Sequence, residues 1–141
     1  MNSENTKHLV ETYPHLFKNF GYFECSDGWF KLLCELSEKL EPVFKENLPE
    51  NFRHRVVGQV KQKFGGLRFY LDWYPESEAL NEQIENDIEE AEEKSWVTCE
   101  FCGEPGKTRG GGWVLVLCDK HHQENLEKKN KRASKNAKNE N

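Results

Sequence analysis

Trp29, Leu33, Leu36, Leu40 and Val43 recur at steps of three and four residues, the apolar stripe of a helix lying on a core. Ser26-Asp27-Gly28 precedes the stripe as a helix start, with Ser26 or Asp27 as N-cap. Pro42 falls late in the pattern and predicts a kink or a shortened end. From Arg55 to Trp73 the period changes to two. Gly65-Gly66 separates two runs of strand-forming residues and predicts a two-residue primed turn. That register sets Phe64 against Leu67, Val60 against Leu71 and Gly58 against Trp73. The core face would then hold Val56, Val60, Phe64, Leu67, Phe69, Leu71 and Trp73. The opposite face would hold Val57, Gln59, Lys61, Lys63, Arg68, Tyr70 and Asp72. A narrower stripe, Leu80, Ile84, Ile88 and Ala91, predicts a further helix opening at Pro75 and ending near Trp96.

The first dozen residues, with Leu9 and Val10, read as a short helix ending before Tyr13-Pro14, and an aromatic-rich connector follows. Leu48-Pro49-Glu50-Asn51 reads as a loop. From Lys128 the chain has little to bury and predicts a frayed, basic, disordered tail. The expected fold is α+β: an antiparallel hairpin or small sheet packed by two helices, with a C-terminal treble-clef-like zinc-binding unit. The expected divisions are 1–96 for the α+β core with the hairpin at 55–73, 97–127 for the zinc unit, and 128–141 for the tail.

Chemistry concentrates near the C-terminus. Cys99 and Cys102 form C-x-x-C followed by Gly103; fifteen residues separate Cys102 from Cys118, which opens C-x-x-H with His121. Two close ligand pairs joined by a loop supply the tetrahedral N/S shell that Zn²⁺ favours. Gly103 suits the tight turn of a zinc knuckle. Three thiolates and one imidazole close the shell, which points to a structural metal rather than a catalytic one with an open position. His122 is the neighbouring alternative ligand; the spacing favours His121. Glu100 and Asp119 read as solvated. Cys25 and Cys34 remain outside the site, and free thiols beside a thiolate metal centre fit a reducing cytoplasm.

The 141 residues carry a net charge of −5, which counts against a general nucleic-acid binder. The charge is unevenly placed: Arg53, His54, Arg55, Lys61, Lys63 and Arg68 are accompanied by no acid between positions 53 and 68. The expected register sets Lys63 opposite Arg68 and Lys61 opposite Tyr70, and like charges across a ladder are unfavourable. Two readings stand. The face is solvated or covered by the acidic helix of residues 76–93. Otherwise it cradles an anion, with Gln59, Lys61 and Lys63, the Arg68 fork and the Tyr70 ring as the binding set. The Gly110-Gly111-Gly112 loop between Arg109 and Trp113 either connects knuckle and strand or closes over that ligand. His8, His15 and His54 have no partners at catalytic or metal spacing.

The strings Gln59-Val-Lys-Gln-Lys-Phe-Gly-Gly-Leu-Arg-Phe-Tyr70, C-E-F-C-G-E-P-G and G-W-V-L-V-L-C-D-K-H resemble a group of small uncharacterised proteins of bacteria and their phages. The resemblance runs from Gly28 to His121. It implies a hairpin linked to a zinc knuckle and a phage or prophage setting, and it implies no activity. The expected function is therefore a non-enzymatic, zinc-stabilised binding protein of the bacterial cytoplasm. It would hold an anionic ligand such as a nucleotide signal, as a sponge or inhibitor that counteracts host defence. The alternatives are a nucleic-acid-binding or protein-binding regulator, the latter through the acidic helix, and, further off, a metal-dependent nuclease. A pocket shared between subunits of a homo-oligomer is compatible with the sequence.

Overall fold

A computed structural model describes residues 1–139. Helix α1 spans Ser3–Thr12, where the Asn2 side chain accepts the N–H of Asn5 at 2.7 Å as its N-cap. The connector carries Phe17, Phe20 and Phe23 in a cluster of mutually tilted rings, with centroids 4.7–5.3 Å apart. It delivers a two-residue strand, β1 (Phe23–Glu24). A 3-10 turn at Asp27–Trp29 then leads into α2 (Phe30–Asn47). Pro42 does not end α2, which continues to Asn47 before Leu48 turns extended.

Strands β2 (Val57–Lys63) and β3 (Gly66–Leu71) are antiparallel, and β1 lies parallel against the other side of β2. The hairpin exists where expected, but its register differs by two residues. Val60 pairs with Phe69, Lys61 with Arg68, and Lys63 with Gly66, so the turn residues are Phe64 and Gly65. Both have positive φ, +54° and +94°. The second glycine serves packing instead: a Cβ on Gly66 would run into the indole of Trp96. A two-residue shift preserves strand faces, yet it moves Phe64 from the expected core to the hairpin apex, 70 % exposed. A register irregularity at Gly58 makes the second correction. It lets Val56 and Val57 both be buried, where alternation would have sent Val57 to the open face.

Helix α3 covers Glu78–Ser95, three residues later than expected. Ser77 provides the N-cap by accepting the Leu80 N–H, and Pro75 stays in the preceding loop. Trp29 of the 3-10 turn and Leu33, Leu36, Leu40 and Phe44 of α2 meet Ile84, Ile88 and Ala91 of α3, over Val60, Leu67 and Phe69 of the sheet. Both helices therefore lie on one sheet face. α3 also seals the free edge of β3: Leu67 N–H donates to Ser95 Oγ at 2.9 Å and Phe69 N–H to Glu92 Oε2 at 3.3 Å.

The last third forms a second small sheet, β4 (Lys107–Arg109) paired antiparallel with β5 (Leu115–Leu117), then α4 (Asp119–Asn139). Helix replaces the disordered tail expected from Lys128 as far as Asn139. The segment has no proline or glycine to break it and is built of Lys, Arg, Ala and Asn with one Ser. None of its side chains is buried. Glu140 and Asn141, the end of that expected tail, lie outside the described residues.

Candidate metal centre and basic sheet face

The C-terminal third is organised around a knuckle. Thr98 bridges to Pro105, Cys99 N–H donates to Glu104 O at 2.7 Å, and Gly103 N–H returns to Cys99 O at 2.9 Å. Gly103 takes φ +81°, a conformation open to glycine at little cost. Cys118 follows β5, and His121 sits one turn into α4. The ligand atoms of Cys99, Cys102, Cys118 and His121 all lie within 4.8 Å of one another, close enough to bind one metal ion. Cys118 Sγ lies 3.2 Å and Cys99 Sγ 3.7 Å from His121 Nδ1, and the Cys102 and Cys118 sulfurs are 3.8 Å apart. His122 is not among the four.

The surroundings of Cys99 and Cys102 shift their thiols in opposite directions. Burial and the neighbouring sulfurs of Cys99 and Cys118 push the Cys102 thiol up to about 11. Burial raises the Cys99 thiol too, but peptide N–H groups of Cys118, Cys102 and Phe101 outweigh it and hold the thiol below its ordinary value. Thiolates are the metal-binding form, so a cation among these sulfurs would favour ionisation of all three.

The knuckle is clamped to the main core. Gly28 N–H donates to Glu100 O at 2.7 Å, Trp29 Nε1–H to Thr98 O at 3.1 Å, and Ser26 N–H to Glu100 Oε2 at 3.1 Å. A Cβ on Gly28 would overlap the carbonyls of Cys99 and Glu100. Glu100, expected to be solvated, is only 5 % exposed, and burial holds its carboxyl above the usual range despite the Ser26 N–H. The Ser-Asp-Gly-Trp string signalled a helix start; that the same glycine admits the knuckle was not visible in it. Asp119 is exposed, as expected, and pairs with Arg109 at 2.8 Å. Arg109 also donates to Leu117 O from Nε and Nη2, at 3.2 and 3.1 Å. This candidate ligand residue is engaged within the metal unit.

On the sheet face away from the helices, Lys61 rather than Lys63 lies opposite Arg68, and Gln59 rather than Lys61 lies opposite Tyr70. Glu24 flanks Lys61 on β1, but its carboxylate accepts from Gln59 Nε2 at 2.8 Å. Arg68 Nη1 donates to the carbonyl of Leu67, and none of Lys61, Lys63 and Arg68 forms a salt bridge among the described residues. Helix α3 runs along the edge of β3 and leaves this face open, which removes the reading in which the acidic helix covers it. Tyr70 is 43 % exposed. Beside it opens a cleft of about 530 Å³ lined by Tyr22, Glu24, Arg55, Gln59, Tyr70 and Asp72, with Arg55 paired to Asp72 at 2.6 Å. Gln59, Lys61, Lys63, Arg68 and Tyr70 therefore share one surface. Trp113 stands at the turn end of the hairpin, where Gln62 Nε2 donates to Val114 O at 2.9 Å.

No family model, curated protein or solved structure matches the chain. The likeness to small bacterial and phage proteins rests on the quoted strings alone. Among the described residues no helix is long and apolar enough to cross a membrane.

Proposed function

We propose that this chain is a zinc-stabilised binding protein that holds a phosphate-bearing ligand, most simply a nucleotide, on the open face of its sheet. The observation that carries the reading is the direct opposition of Lys61 and Arg68 across the ladder, with Lys63 beside them and, among the described residues, no salt bridge to any of the three. Like charge facing across a ladder costs stability; Glu24 beside Lys61 and Glu92 near Arg68 offset part of it, and a bound phosphate would offset more. Arg68 supplies a planar fork, Lys61 and Lys63 point charges, and Tyr70 a ring for a base. None of this requires the protein to make or break a bond, so the reading is non-enzymatic.

Zinc fits the Cys3His set. With Zn–S about 2.3 Å and Zn–N about 2.05 Å, a tetrahedron places sulfurs about 3.8 Å apart and sulfur about 3.6 Å from nitrogen. The structure has 3.8 Å for Cys102–Cys118 and 3.7 and 3.2 Å for the two sulfur–imidazole pairs. Four protein ligands fill the shell, so the ion would fold the C-terminal third and carry no chemistry. The bacterial cytoplasm, a phage origin and a role in sequestering a host signal are supported by the sequence resemblance only.

The test is isothermal titration of the zinc-loaded chain with a panel of nucleotides, beside Lys61→Ala/Arg68→Ala. Charge-assisted contacts are each worth about 1.5–3 kcal/mol, so the double variant should lose at least roughly 100-fold in affinity, with the melting temperature of the ligand-free chain equal to or above that of wild type because the like-charge opposition is gone. Undiminished binding would end this reading.

A further inference from the structure

The hairpin apex combines two unfavourable features. Phe64 adopts φ +54°, a left-handed conformation that is a clear outlier for a bulky aromatic residue. Its ring gains nothing in return from burial, being 70 % exposed. Residues held in sparsely populated backbone regions cluster at ligand-binding sites, where the surrounding structure over-determines them. Here the determinants are Gly65 and Gly66. One adopts the second positive φ of the turn, and the other is pressed against the Trp96 indole, so Phe64 is left as the first turn residue.

A second exposed ring stands on the neighbouring loop. Trp113, 71 % exposed, ends the glycine loop between β4 and β5, in which Gly111 and Gly112 both have positive φ. That loop is tied to the apex. Gln62 donates to Val114 O, and a Val114 methyl lies 3.1 Å from where a Gly65 Cβ would stand. Two of the most exposed large apolar side chains thus stand on loop tips that touch each other. The segments themselves are cationic, although Glu24 lies beside Lys61 on β1 and Glu92 of α3 feels the charge of Arg68. Neither segment that builds the tips, 53–71 or 105–118, contains an acid, although the whole chain is acidic. Lys63 leads from the apex, its ammonium 5.8 Å from the Phe64 ring centroid, to the opposed Lys61 and Arg68.

We propose that these tips bind single-stranded nucleic acid: unpaired bases stack on Phe64 and Trp113, and the connecting phosphates run back along Lys63, Lys61 and Arg68. Exposed rings beside a track of cations that form no salt bridge among the described residues are the elements of sequence-tolerant single-strand binding. A duplex buries the base faces such rings would need. A protein's apolar groove would accept the rings but has no use for the cations behind them. The inference rests on the reading of the basic sheet face and extends it from a mononucleotide to a strand.

The experiment is fluorescence anisotropy of labelled dT15 and rU15 with the zinc-loaded full chain. Variants are Phe64→Gly, Trp113→Ala and Lys61→Ala/Arg68→Ala, with a duplex of the same length alongside. Phe64→Gly is chosen because glycine relieves the positive φ, so lost binding cannot be lost folding. Each aromatic variant should weaken binding roughly 5- to 150-fold, the range for losing one stacked base. With three phosphate contacts, log affinity should fall against log salt with a slope near about −2. If both aromatic variants bind dT15 like wild type while the Lys61/Arg68 variant does not, the tips are not the site and the sheet-face reading stands. Equal affinity for duplex and single strand overturns the stacking inference. If neither oligonucleotide binds while a mononucleotide does, the extension fails alone; if nothing phosphate-bearing binds, both readings fall.

Discussion

Replacing Gly28 by Ala tests how the metal unit is held to the core. The new methyl carbon would stand well inside 3.0 Å of the Cys99 and Glu100 carbonyls, a separation real Cβ atoms essentially never show. Those neighbours are backbone, not a flexible side-chain end, so the knuckle itself must move. Three hydrogen bonds cross the same seam: Gly28 N–H to Glu100 O, Trp29 Nε1–H to Thr98 O, and Ser26 N–H to the Glu100 carboxylate. Leaving a buried partner unsatisfied costs about 1–3 kcal/mol. Stiffening the unfolded chain by a Gly→Ala change returns only about 0.4–1 kcal/mol. With two of the three bonds lost at about 2 kcal/mol each, less that return, the net loss should be about 3–4 kcal/mol, and at about 3 °C per kcal/mol for a chain of this size Tm should fall by roughly 9–12 °C. Calorimetry at saturating zinc reads the first quantity. Chelator-driven zinc release, followed with a colorimetric indicator, reads the second and should be faster. A Tm within about 3 °C of wild type, with unchanged release, would show that the seam does not couple the two parts.

Two further outcomes follow from the same structure. Cys118→Ser should reduce bound zinc from one ion per chain towards none, measured by elemental mass spectrometry, and unfold the region after Ser95 while α2 and α3 persist by circular dichroism. Full zinc occupancy would mean that Cys118 is not a ligand. Burial and the nearby Glu100 carboxylate push the Cys25 thiol up to about 12 from 9.0. Folding thus favours its protonated form, and that stability is complete below pH 9 and is lost as pH rises from 9.0 towards about 12. Iodoacetamide at pH 8 should label Cys25 only after denaturation, and native labelling at the rate of an exposed thiol would refute its burial.

The metal centre was legible in the sequence because each ligand pair is local: C-x-x-C on a turn and C-x-x-H on the first turn of a helix need no long-range information beyond closure of one loop. The α2 stripe was legible for the same reason, since a period of 3.6 is a property of consecutive residues. The hairpin was recognised but misregistered, because its two glycines look alike in the sequence. One is required by the turn, and the other by Trp96, a contact made across 30 positions. Once the register slipped, an apparent core residue, Phe64, became the most conspicuous exposed ring of the hairpin. Glu100 was misplaced because its burial depends on Ser26, 74 positions away, a pairing that no spacing rule encodes. Pro42 appeared to be a stronger breaker than it proved, since core packing along α2 outweighs one lost helical hydrogen bond.

The side-chain closure of β3 by Ser95 and Glu92 matters for the protein's behaviour at high concentration. An open strand edge is a template on which another chain can add a strand, and repeated addition is how fibres begin. Here the outward N–H groups of Leu67 and Phe69 are already occupied by α3. An incoming strand would have to displace a helix whose Ile84, Ile88 and Ala91 are buried in the core. Fibril growth on this edge must therefore wait for α3 to detach, so its onset should follow the opening rate of that helix more closely than the hydrophobicity of the strands.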